Sequence, residues 1–160
     1  MADYKTTQIL SAADVAYIAG LIDGEGTITL TRKHRNEFRQ LAISISSTER
    51  QLLDFVKSAT GVGTITNKIA YNSAHSRSFA YAVYNRQALA LLDQVTPFLL
   101  SYKARRAKLI LDQYLRVVTR NGKYSEDQLE ARRQFESAVL SIKANSIGES
   151  RPSYYSTVRA

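Results

Sequence analysis

The sequence has no cysteine and no tryptophan among its 160 residues, and only one methionine and two prolines. Without cysteine the chain cannot form disulfides, zinc–thiolate sites or a thiol nucleophile, and it does not require an oxidising compartment. No apolar run is long enough to cross a bilayer, and the first five residues lead into no apolar signal segment. We therefore expect an intracellular protein, in a prokaryotic cytoplasm or an organelle, that is neither secreted nor membrane-bound.

Acidic residues are scarce relative to basic ones. There are 14 Asp and Glu against 22 Lys and Arg, which gives a net charge of +8 and a pI near 9.8. Without a membrane signature, this balance favours a nucleic acid as partner, although a basic surface that only aids solubility is the alternative. The length fits one domain over residues 1–160 with a self-sufficient core, and we expect the polar tail over residues 145–160 to be flexible.

Hydrophobic periodicity predicts an α+β fold in which one helix precedes two strand–strand–helix units and two C-terminal helices follow. The similarity of residues 91–95 to residues 52–56 suggests that the unit is used twice. The predicted elements are a helix that starts at a capping box over residues 11–14, strands over 27–33 and 40–46 joined by a loop at 34–37, a helix from a second capping box over 46–49 to Gly61, strands over 64–71 and 78–85, and helices over 88–95, 102–118 and 125–144.

The first helix is apolar nearly all round, which predicts that it is buried. Within it Ala12, Ala16 and Gly20 recur every four residues, so another helix backbone could approach this stripe closely. Two interpretations remain open at this point: a tightly packed core helix, or an interface between two copies of the chain.

The end of this helix carries two acids between glycines, in the order Asp23-Gly24-Glu25-Gly26. A helix C-terminus is itself negative, so unless the acids are well solvated or protonated they call for a cation, and Mg²⁺ accepts such oxygen ligands. One turn supplies only the Glu25 side chain, Asp23 and the Gly24 carbonyl, which is half a site. Two copies meeting about a twofold axis would complete it for metal-assisted phosphodiester hydrolysis; an ordinary turn is the alternative.

A second charge anomaly lies at the start of the helix over residues 102–118. Four cations crowd its first two turns, where the helix dipole disfavours them: Lys103, Arg105, Arg106 and Lys108. A nearby anion explains them better than the helix itself does, although a solvated basic face is the alternative.

The strands alternate polar and apolar residues, as expected of a sheet with one wet face. Nine residues of strand span roughly 30 Å, about nine base pairs of DNA, and a dimer would cover about twice that. The solvated face of any antiparallel sheet is the alternative. The candidate DNA-contacting residues on the strands and their loops are Thr29, Thr31, Lys33, Arg35, Gln40, Ser44, Thr66, Lys68 and Arg77.

Residues 18–26, Ile-Ala-Gly-Leu-Ile-Asp-Gly-Glu-Gly, resemble the LAGLIDADG motif of homing endonucleases. The order of elements, the Gly61-Val62-Gly63 turn and the Thr-Pro-Phe-Leu segment followed by a lysine are similar to the single-motif, homodimeric group over most of the chain. The resemblance implies a saddle-shaped antiparallel sheet over the DNA major groove and motif helices at the dimer axis. It also implies Mg²⁺-dependent cleavage of both strands of a long pseudo-palindromic site, with Ca²⁺ or Mn²⁺ substituting in binding or assays.

The resemblance also implies roles for single residues. Glu25 is expected to bind metal with the Gly24 carbonyl, and Lys103 to stabilise charge at the scissile phosphate. Ser47 stands where the family often has a glutamine that positions water; it is either a shorter substitute or only a helix cap. The remaining expectations are a dimer interface with Ala16, Ala19, Gly20 and a structural Asp23, and DNA-backbone contacts from Arg151 and Ser153.

Two other functions remain open from the sequence. Relatives of this fold serve as RNA splicing maturases, with intron RNA as partner, or as DNA-binding regulators that do not cut. A basic α+β protein that binds nucleic acid through shape alone, with the acidic turn as an ordinary turn, is the second alternative.

Overall fold

The computed structural model describes residues 4–68, 77–119 and 122–144. The elements are α1 (Ala12–Glu25), β1 (Gly26–Thr31), β2 (Gln40–Ser47), α2 (Arg50–Thr60), β3 (Thr64–Lys68), β4 (Ser78–Tyr84), α3 (Asn85–Val95), a 3₁₀ turn (Thr96–Phe98), α4 (Tyr102–Val117) and α5 (Glu126–Ser141). The predicted α+β order of one helix, two strand–strand–helix units and C-terminal helices is confirmed. Within the described ranges, no helix is long and apolar enough to cross a membrane.

The four strands form one antiparallel sheet in the order β1-β2-β4-β3. Each strand–strand–helix unit contributes a hairpin, and the two hairpins join through their second strands, with Ile43 opposite Val83 and Ile45 opposite Tyr81. The helices cover one face, where apolar strand residues alternate inward as the period of two requires. The strand residues of this core, all 2% exposed or less, are Ile28, Leu30, Leu41, Ile43, Ile45, Tyr81 and Val83.

Two of the predicted helix ends are as the sequence indicates, and a third is not. The Ser125 capping box of α5 is complete, with reciprocal bonds between Ser125 and Gln128, and α2 ends at Gly61 in the left-handed conformation (φ 70°). The second predicted capping box is wrong, because α2 begins at Arg50 and its N-cap Glu49 makes no side-chain cap bond. The cause is sheet pairing, which keeps the chain extended through Ser47.

Strand and helix boundaries differ from the predictions by a few residues. β1 ends at Thr31, so the hairpin loop is longer than predicted and spans residues 32–39. At the loop's end the Arg39 guanidinium donates to the Leu30 carbonyl at 3.2 Å. α3 begins three residues before its predicted start, at Asn85, and the last part of the strand predicted over 64–71 lies outside the described residues.

The first helix is buried on one face only. Val15, Ile18 and Ile22 lie in the core, whereas Ala12, Ala16 and Gly20 on the opposite side are exposed. The expectation that the whole helix is buried is therefore wrong for the single chain. Ala19, which is expected at the dimer interface, is 0% exposed and packs inside its own protomer.

Candidate functional site

The acidic turn lies at the junction between α1 and β1. Glu25 is the last helical residue, and the N–H of the C-cap Gly26 donates to the Ile22 carbonyl. A Cβ on residue 26 would lie 2.6 Å from the Ile22 Cα and 2.8 Å from its carbonyl oxygen, closer than atoms can pack. Glycine at this position therefore lets the strand leave the helix directly, and it holds Glu25 at the edge of the sheet.

The carboxylate of Asp23 is used by the start of α4. It accepts hydrogen bonds from the Leu100 N–H (2.7 Å), the Ser101 N–H (3.2 Å) and the Ser101 hydroxyl (2.5 Å). Ser101 is in turn the N-cap of α4. Because the N-terminus of a helix is positive, the acid stabilises α4 at the point where its dipole requires a negative charge.

Lys103 makes the reciprocal contact. Its ammonium donates to the carbonyls of Ile22 (2.7 Å) and Asp23 (2.8 Å) in the last turn of α1, and its side chain is buried at 7% exposure. The Ile22 carbonyl also accepts the Gly26 N–H, and both carbonyls belong to the last turn of α1, which forms the negative end of the helix. The acid at the end of α1 and the cation at the start of α4 therefore stabilise each other's helices. Asp23 binds the N-terminus of α4, and Lys103 binds the C-terminus of α1.

The anion expected near the basic start of α4 is thus largely a set of backbone carbonyls. Arg106 is also buried, and it donates to the carbonyls of Ile28 (3.0 Å) and Ile142 (2.7 Å), which fastens α4 to β1 and to the end of α5. Lys108, by contrast, is exposed. Burial lowers the pKa of the Lys103 ammonium and Arg106 lowers it further, while the carboxylates of Asp23 and Glu25 oppose both effects.

Glu25 is the acid that this arrangement leaves available. It is exposed, and its carboxylate accepts no hydrogen bond from another described residue. Beside it the Gly24 carbonyl lies in the last helical turn, where carbonyls lack an intrahelical partner. Both are oxygen donors of the kind that hard divalent cations take. Among the described residues no group of three or more His, Asp or Glu could hold a metal ion, so one protomer offers a fitting but partial ligand set.

Ser47 lies at the same edge of the sheet. Gly26 pairs with Ile45, and Ser47 stands two residues further along β2, opposite Phe79. Its hydroxyl accepts the Glu49 N–H at 3.0 Å, which is a local turn before α2 and not the predicted cap. The bond uses acceptor capacity only, so the hydroxyl proton is still available to a water or another acceptor.

The sheet face opposite the helices, which we call the open face, gathers many of the predicted DNA-contacting residues. The register places Thr29 and Thr31 beside Ala42 and Gln40, and continues across to β4 and β3. Six predicted residues share this face: Thr29, Thr31, Gln40, Ser44, Thr66 and Lys68. Sequence reasoning missed others, whose period-two spacing was the available signal: Thr27, Ser46, Thr64, Ser78, Ala80, Ala82 and Tyr84.

The side chains of the open face differ in size and charge from its middle to its rim. The central strands carry Ala42, Ala80 and Ala82, while threonines and Lys68 lie on the outer strands. The Lys68 ammonium donates to the Ser46 hydroxyl at 2.8 Å. Small residues in the middle and hydrogen-bonding residues at the rim leave space for a ligand that lies along the sheet.

The remaining predicted DNA-contacting residues lie off the strands. Lys33 and Arg35 belong to the 32–39 loop, and Arg77 precedes β4; all three are exposed. A cavity of about 430 Å³ beside the open face is lined by Lys33 together with Thr31, Arg32, Gln40, Tyr84 and Asn85. Arg151 and Ser153 lie outside the described residues.

The exposed side of α1 is the surface expected to meet a second copy. A Cβ on Gly20 would meet no atom within 4 Å, so the helix is bare at that point. An aromatic pair borders this side, with the rings of Tyr17 and Phe55 5.3 Å apart. Leu100, whose N–H binds Asp23, is 77% exposed, and its apolar side chain was not predicted as part of this surface.

Comparison with known proteins gives both a family and a fold. The family model of the LAGLIDADG-like domain matches residues 12–122, whereas no curated protein matches. The homing endonuclease I-CvuI, solved with its target in the presence of Ca, aligns at 18% identity over 88% of this chain and 86% of that one, with a TM-score of 0.64.

A second solved structure has the same fold. The archaeal intron-encoded homing endonuclease I-Vdi141I, solved with DNA, aligns at 18% identity over 86% of this chain and 87% of that one, with a TM-score of 0.64. The LAGLIDADG meganuclease I-AabMI, bound to uncleaved DNA, aligns at 20% identity over 78% of this chain and 44% of that one, with a TM-score of 0.57. With the family match extending over most of the chain, this protein belongs to the LAGLIDADG-like domain family.

Proposed function

We propose that this protein is a site-specific DNA endonuclease that acts as a homodimer and makes metal-dependent double-strand breaks in a long pseudo-palindromic site. The observation that carries the proposal is the exposed Glu25 carboxylate, which has no hydrogen-bond partner among the described residues. It stands at the end of α1, whose outer side carries the exposed small residues Ala12, Ala16 and Gly20.

The proposed dimer brings the exposed sides of two α1 helices together through Ala16 and Gly20. Small residues allow close approach of two helix backbones, so the two acidic ends would come to lie near each other at one end of the interface. The partial ligand set of one protomer, the Glu25 carboxylate and the Gly24 carbonyl, would then be doubled. Pairing thus supplies the ligands that one chain lacks.

The reaction is the hydrolysis of a phosphodiester, in which water adds to phosphorus and the bond to the 3′ oxygen breaks, leaving 5′-phosphate and 3′-hydroxyl ends. Mg²⁺, when bound, lowers the pKa of water and stabilises the leaving oxygen. Glu25 and the Gly24 carbonyl would hold the ion. Lys103 holds the end of α1 through two carbonyls and adds positive charge beside the site. The Ser47 hydroxyl is proposed to order a water.

The proposed DNA surface is the open face with the 32–39 loop. Its hydroxyl, amide and ammonium groups suit base edges and phosphates, and the net charge of +8 provides long-range attraction to the duplex. The acidic ends of the α1 helices lie at the edge of this face near the dimer axis. Cleavage is therefore expected close to the centre of the bound site.

The proposal is tested by selecting bound sequences from randomised duplex DNA in Ca²⁺ and then replacing Ca²⁺ with Mg²⁺ or with EDTA. We expect an inverted-repeat consensus of about 18 base pairs, twice the span of one sheet. Both strands should be cut near its centre in Mg²⁺, and neither in EDTA.

Other results would contradict the proposal. Selection of a consensus that is bound but uncut in Mg²⁺ or Mn²⁺ would leave a DNA-binding protein without the nuclease activity. Cleavage that persists in EDTA would show that the reaction does not depend on a metal. A half-length consensus without a repeat would contradict binding as a homodimer.

A further inference from the structure

Gln40 on the open face is oriented by a neighbour. It begins β2 opposite Thr31, and its side-chain carbonyl accepts a hydrogen bond from the Asn85 amide nitrogen at 2.8 Å. Gln40 is predicted from the sequence to contact DNA, whereas Asn85 is not. Asn85 lies at the start of α3 with a φ of 53°, a conformation that asparagine and aspartate tolerate better than most residues.

The orientation of the Asn85 amide follows from Tyr114 on α4. The Tyr114 hydroxyl accepts the Leu41 N–H at 3.3 Å and donates to the Asn85 carbonyl oxygen at 3.1 Å. If the amide were reversed, this hydroxyl would face two N–H donors and have no acceptor among these groups. Tyr114 is only 2% exposed, and a buried hydroxyl without an acceptor is unfavourable.

The hydroxyl keeps its proton under ordinary conditions, since burial raises the pKa of Tyr114. The donor and acceptor of each hydrogen bond are therefore determined from the core outward. The Leu41 N–H binds the hydroxyl, the hydroxyl binds the Asn85 carbonyl, and the Asn85 amide nitrogen binds the Gln40 carbonyl. The Gln40 amide nitrogen has no partner in the described part of the chain.

We propose that Asn85 and Tyr114 are positioning residues that set Gln40 as a hydrogen-bond donor toward the major groove, and so determine which base it selects. An unconstrained glutamine prefers adenine, because it accepts from N6 and donates to N7 at once. With its carbonyl held by Asn85, Gln40 favours guanine, whose O6 and N7 both accept hydrogen bonds. The inference rests on the proposed binding of DNA by the open face.

The position in the target follows from the register. Thr31, opposite Gln40, lies five residues along β1 from Gly26, which is about 17 Å or roughly five base pairs outward from the acidic edge. The 430 Å³ cavity lined by Gln40, Tyr84 and Asn85 lies at this end of the face. One base pair in each half of the site should therefore respond to the network.

The test is a base-preference profile, obtained by competition binding in Ca²⁺ with the selected site mutated one base pair at a time. Gln40→Ala identifies the responding position by flattening its preference. There the wild type should prefer guanine over adenine by about 5-fold or more, the lower end for discrimination between bases.

Asn85→Asp is the decisive variant. A carboxylate accepts hydrogen bonds only, so Gln40 must turn its amide nitrogen inward and its carbonyl outward. The guanine preference should fall below about 2-fold or give way to adenine or cytosine, whose exocyclic amino groups donate. Tyr114→Phe should weaken the preference without reversing it, while Tyr81→Phe, which removes a buried hydroxyl bonded elsewhere, should leave the profile unchanged.

Failure of this inference is distinct from failure of the proposed function. If the protein binds a specific site but Asn85→Asp and wild type have the same profile at the responding position, the positioning role is wrong and DNA recognition stands. The same conclusion follows if the wild type prefers adenine there. If no specific site is bound at all, the proposed function itself fails.

Discussion

At the scale of single residues, the end of α1 and the start of α4 exchange charges. Asp23 serves the N-terminus of α4, and Lys103 serves the C-terminus of α1. The exchange accounts for an acid and a cation that each stand at an unfavourable helix end. It also separates Asp23, whose carboxylate accepts three hydrogen bonds, from Glu25, whose carboxylate accepts none from the described residues.

This arrangement predicts that Lys103→Met weakens both stability and cleavage. The carbonyls of Ile22 and Asp23 would lose the Lys103 ammonium as a donor in a buried setting, which should lower the free energy of unfolding by roughly 1–3 kcal/mol. The loosened helix end should slow cleavage by about 100-fold, the typical effect of a displacement of about 1 Å at a reacting centre. Urea denaturation and single-turnover cleavage measure the two effects.

Lys108→Met is the matched control, because it removes the same charge from an exposed position on the same helix. It should change neither stability nor cleavage rate by a comparable amount. If both variants weaken DNA binding equally and leave the cleavage rate of bound DNA intact, Lys103 is an ordinary phosphate contact and its positioning role is wrong.

The sequence indicates which residues of the acidic turn are candidate ligands, but it does not indicate their hydrogen-bond partners. The placement of Asp23, Gly24 and Glu25 at a helix end indicates oxygen ligands, and the resemblance to the LAGLIDADG motif implies a structural first acid and a ligating second acid. The partners of Asp23 lie 77 and 78 positions away. No local pattern encodes such a contact, and the same holds for the link between Asn85 and Gln40, 45 positions apart.

At the scale of elements, the fold covers one side of α1 and leaves the other side exposed. Its inner side fills the core with Ile18, Ala19 and Ile22, all 0% exposed. Its outer side carries small residues with open space beyond Gly20. We therefore infer that α1 completes its packing against a second copy.

Gly20→Leu tests this inference. Leucine favours helix more than glycine does, so the isolated protomer should be as stable as wild type or more stable, by up to about 1 kcal/mol. The larger side chain should nevertheless prevent close approach of two α1 helices. Sedimentation should therefore change from dimer to monomer, and affinity for the selected DNA site should fall.

Ala131→Leu controls for the added apolar bulk, since Ala131 is an exposed small residue on α5. It should sediment as the wild type does. A Gly20→Leu protein that remains dimeric with unchanged DNA affinity, or a wild type that stays monomeric on DNA, would show that the exposed side of α1 is not the interface.

Element boundaries illustrate how far periodicity reaches. The alternation of Ile28 and Leu30 with threonines fixes β1, and Gly61 fixes the end of α2. The start of α2 is mispredicted because sheet pairing with β4 keeps Ser46 and Ser47 extended, and this tertiary constraint overrides a good local capping sequence. Because α1 is apolar nearly all round, its sequence does not indicate which of its sides the protomer itself covers.

At the scale of the whole molecule, the two hairpins form one continuous open face with the charged loop at one end. The order β1-β2-β4-β3 follows from two copies of the strand–strand–helix unit, a repetition that residues 52–56 and 91–95 already suggest. Leu53, Val56, Leu92 and Val95 are equivalent in the two copies and all 0% exposed. Sequence therefore predicts the unit, and the structure adds the way in which the units join.

The positive charge of the molecule predicts a steep dependence of DNA binding on salt. In the proposed binding mode, Lys68 on the open face and Lys33 in the 32–39 loop contact phosphates. Because each substitution acts twice in a dimer, Lys68→Gln or Lys33→Gln should reduce the slope of log K against log salt by about 1 to 2. Titrations at several salt concentrations measure this slope.

Lys57→Gln provides the control, because α2 packs on the helix-covered side of the sheet and Lys57 is exposed there. It should leave the slope unchanged. If all three substitutions changed the slope equally, lysines on either side of the sheet would contribute alike to DNA binding. That result would contradict binding through the open face.

The proposal that Glu25 binds the metal needed for cleavage is tested most directly by assaying Glu25→Gln on the selected site in Mg²⁺. The substitution keeps size and removes the charge of the exposed ligand. Since loss of an outer-shell partner of a metal already lowers activity by about 10–100-fold, loss of this ligand should reduce cleavage by more than about 100-fold. Binding of the site in Ca²⁺ should remain within about 3-fold of wild type, in keeping with phosphate and base contacts made elsewhere.

Glu130→Gln makes the same charge change at an exposed position on α5 and should cleave at the wild-type rate. Glu25→Gln should bind the site without cutting it. Mg²⁺-dependent cleavage by Glu25→Gln at the wild-type rate would contradict the role of Glu25 as a metal ligand.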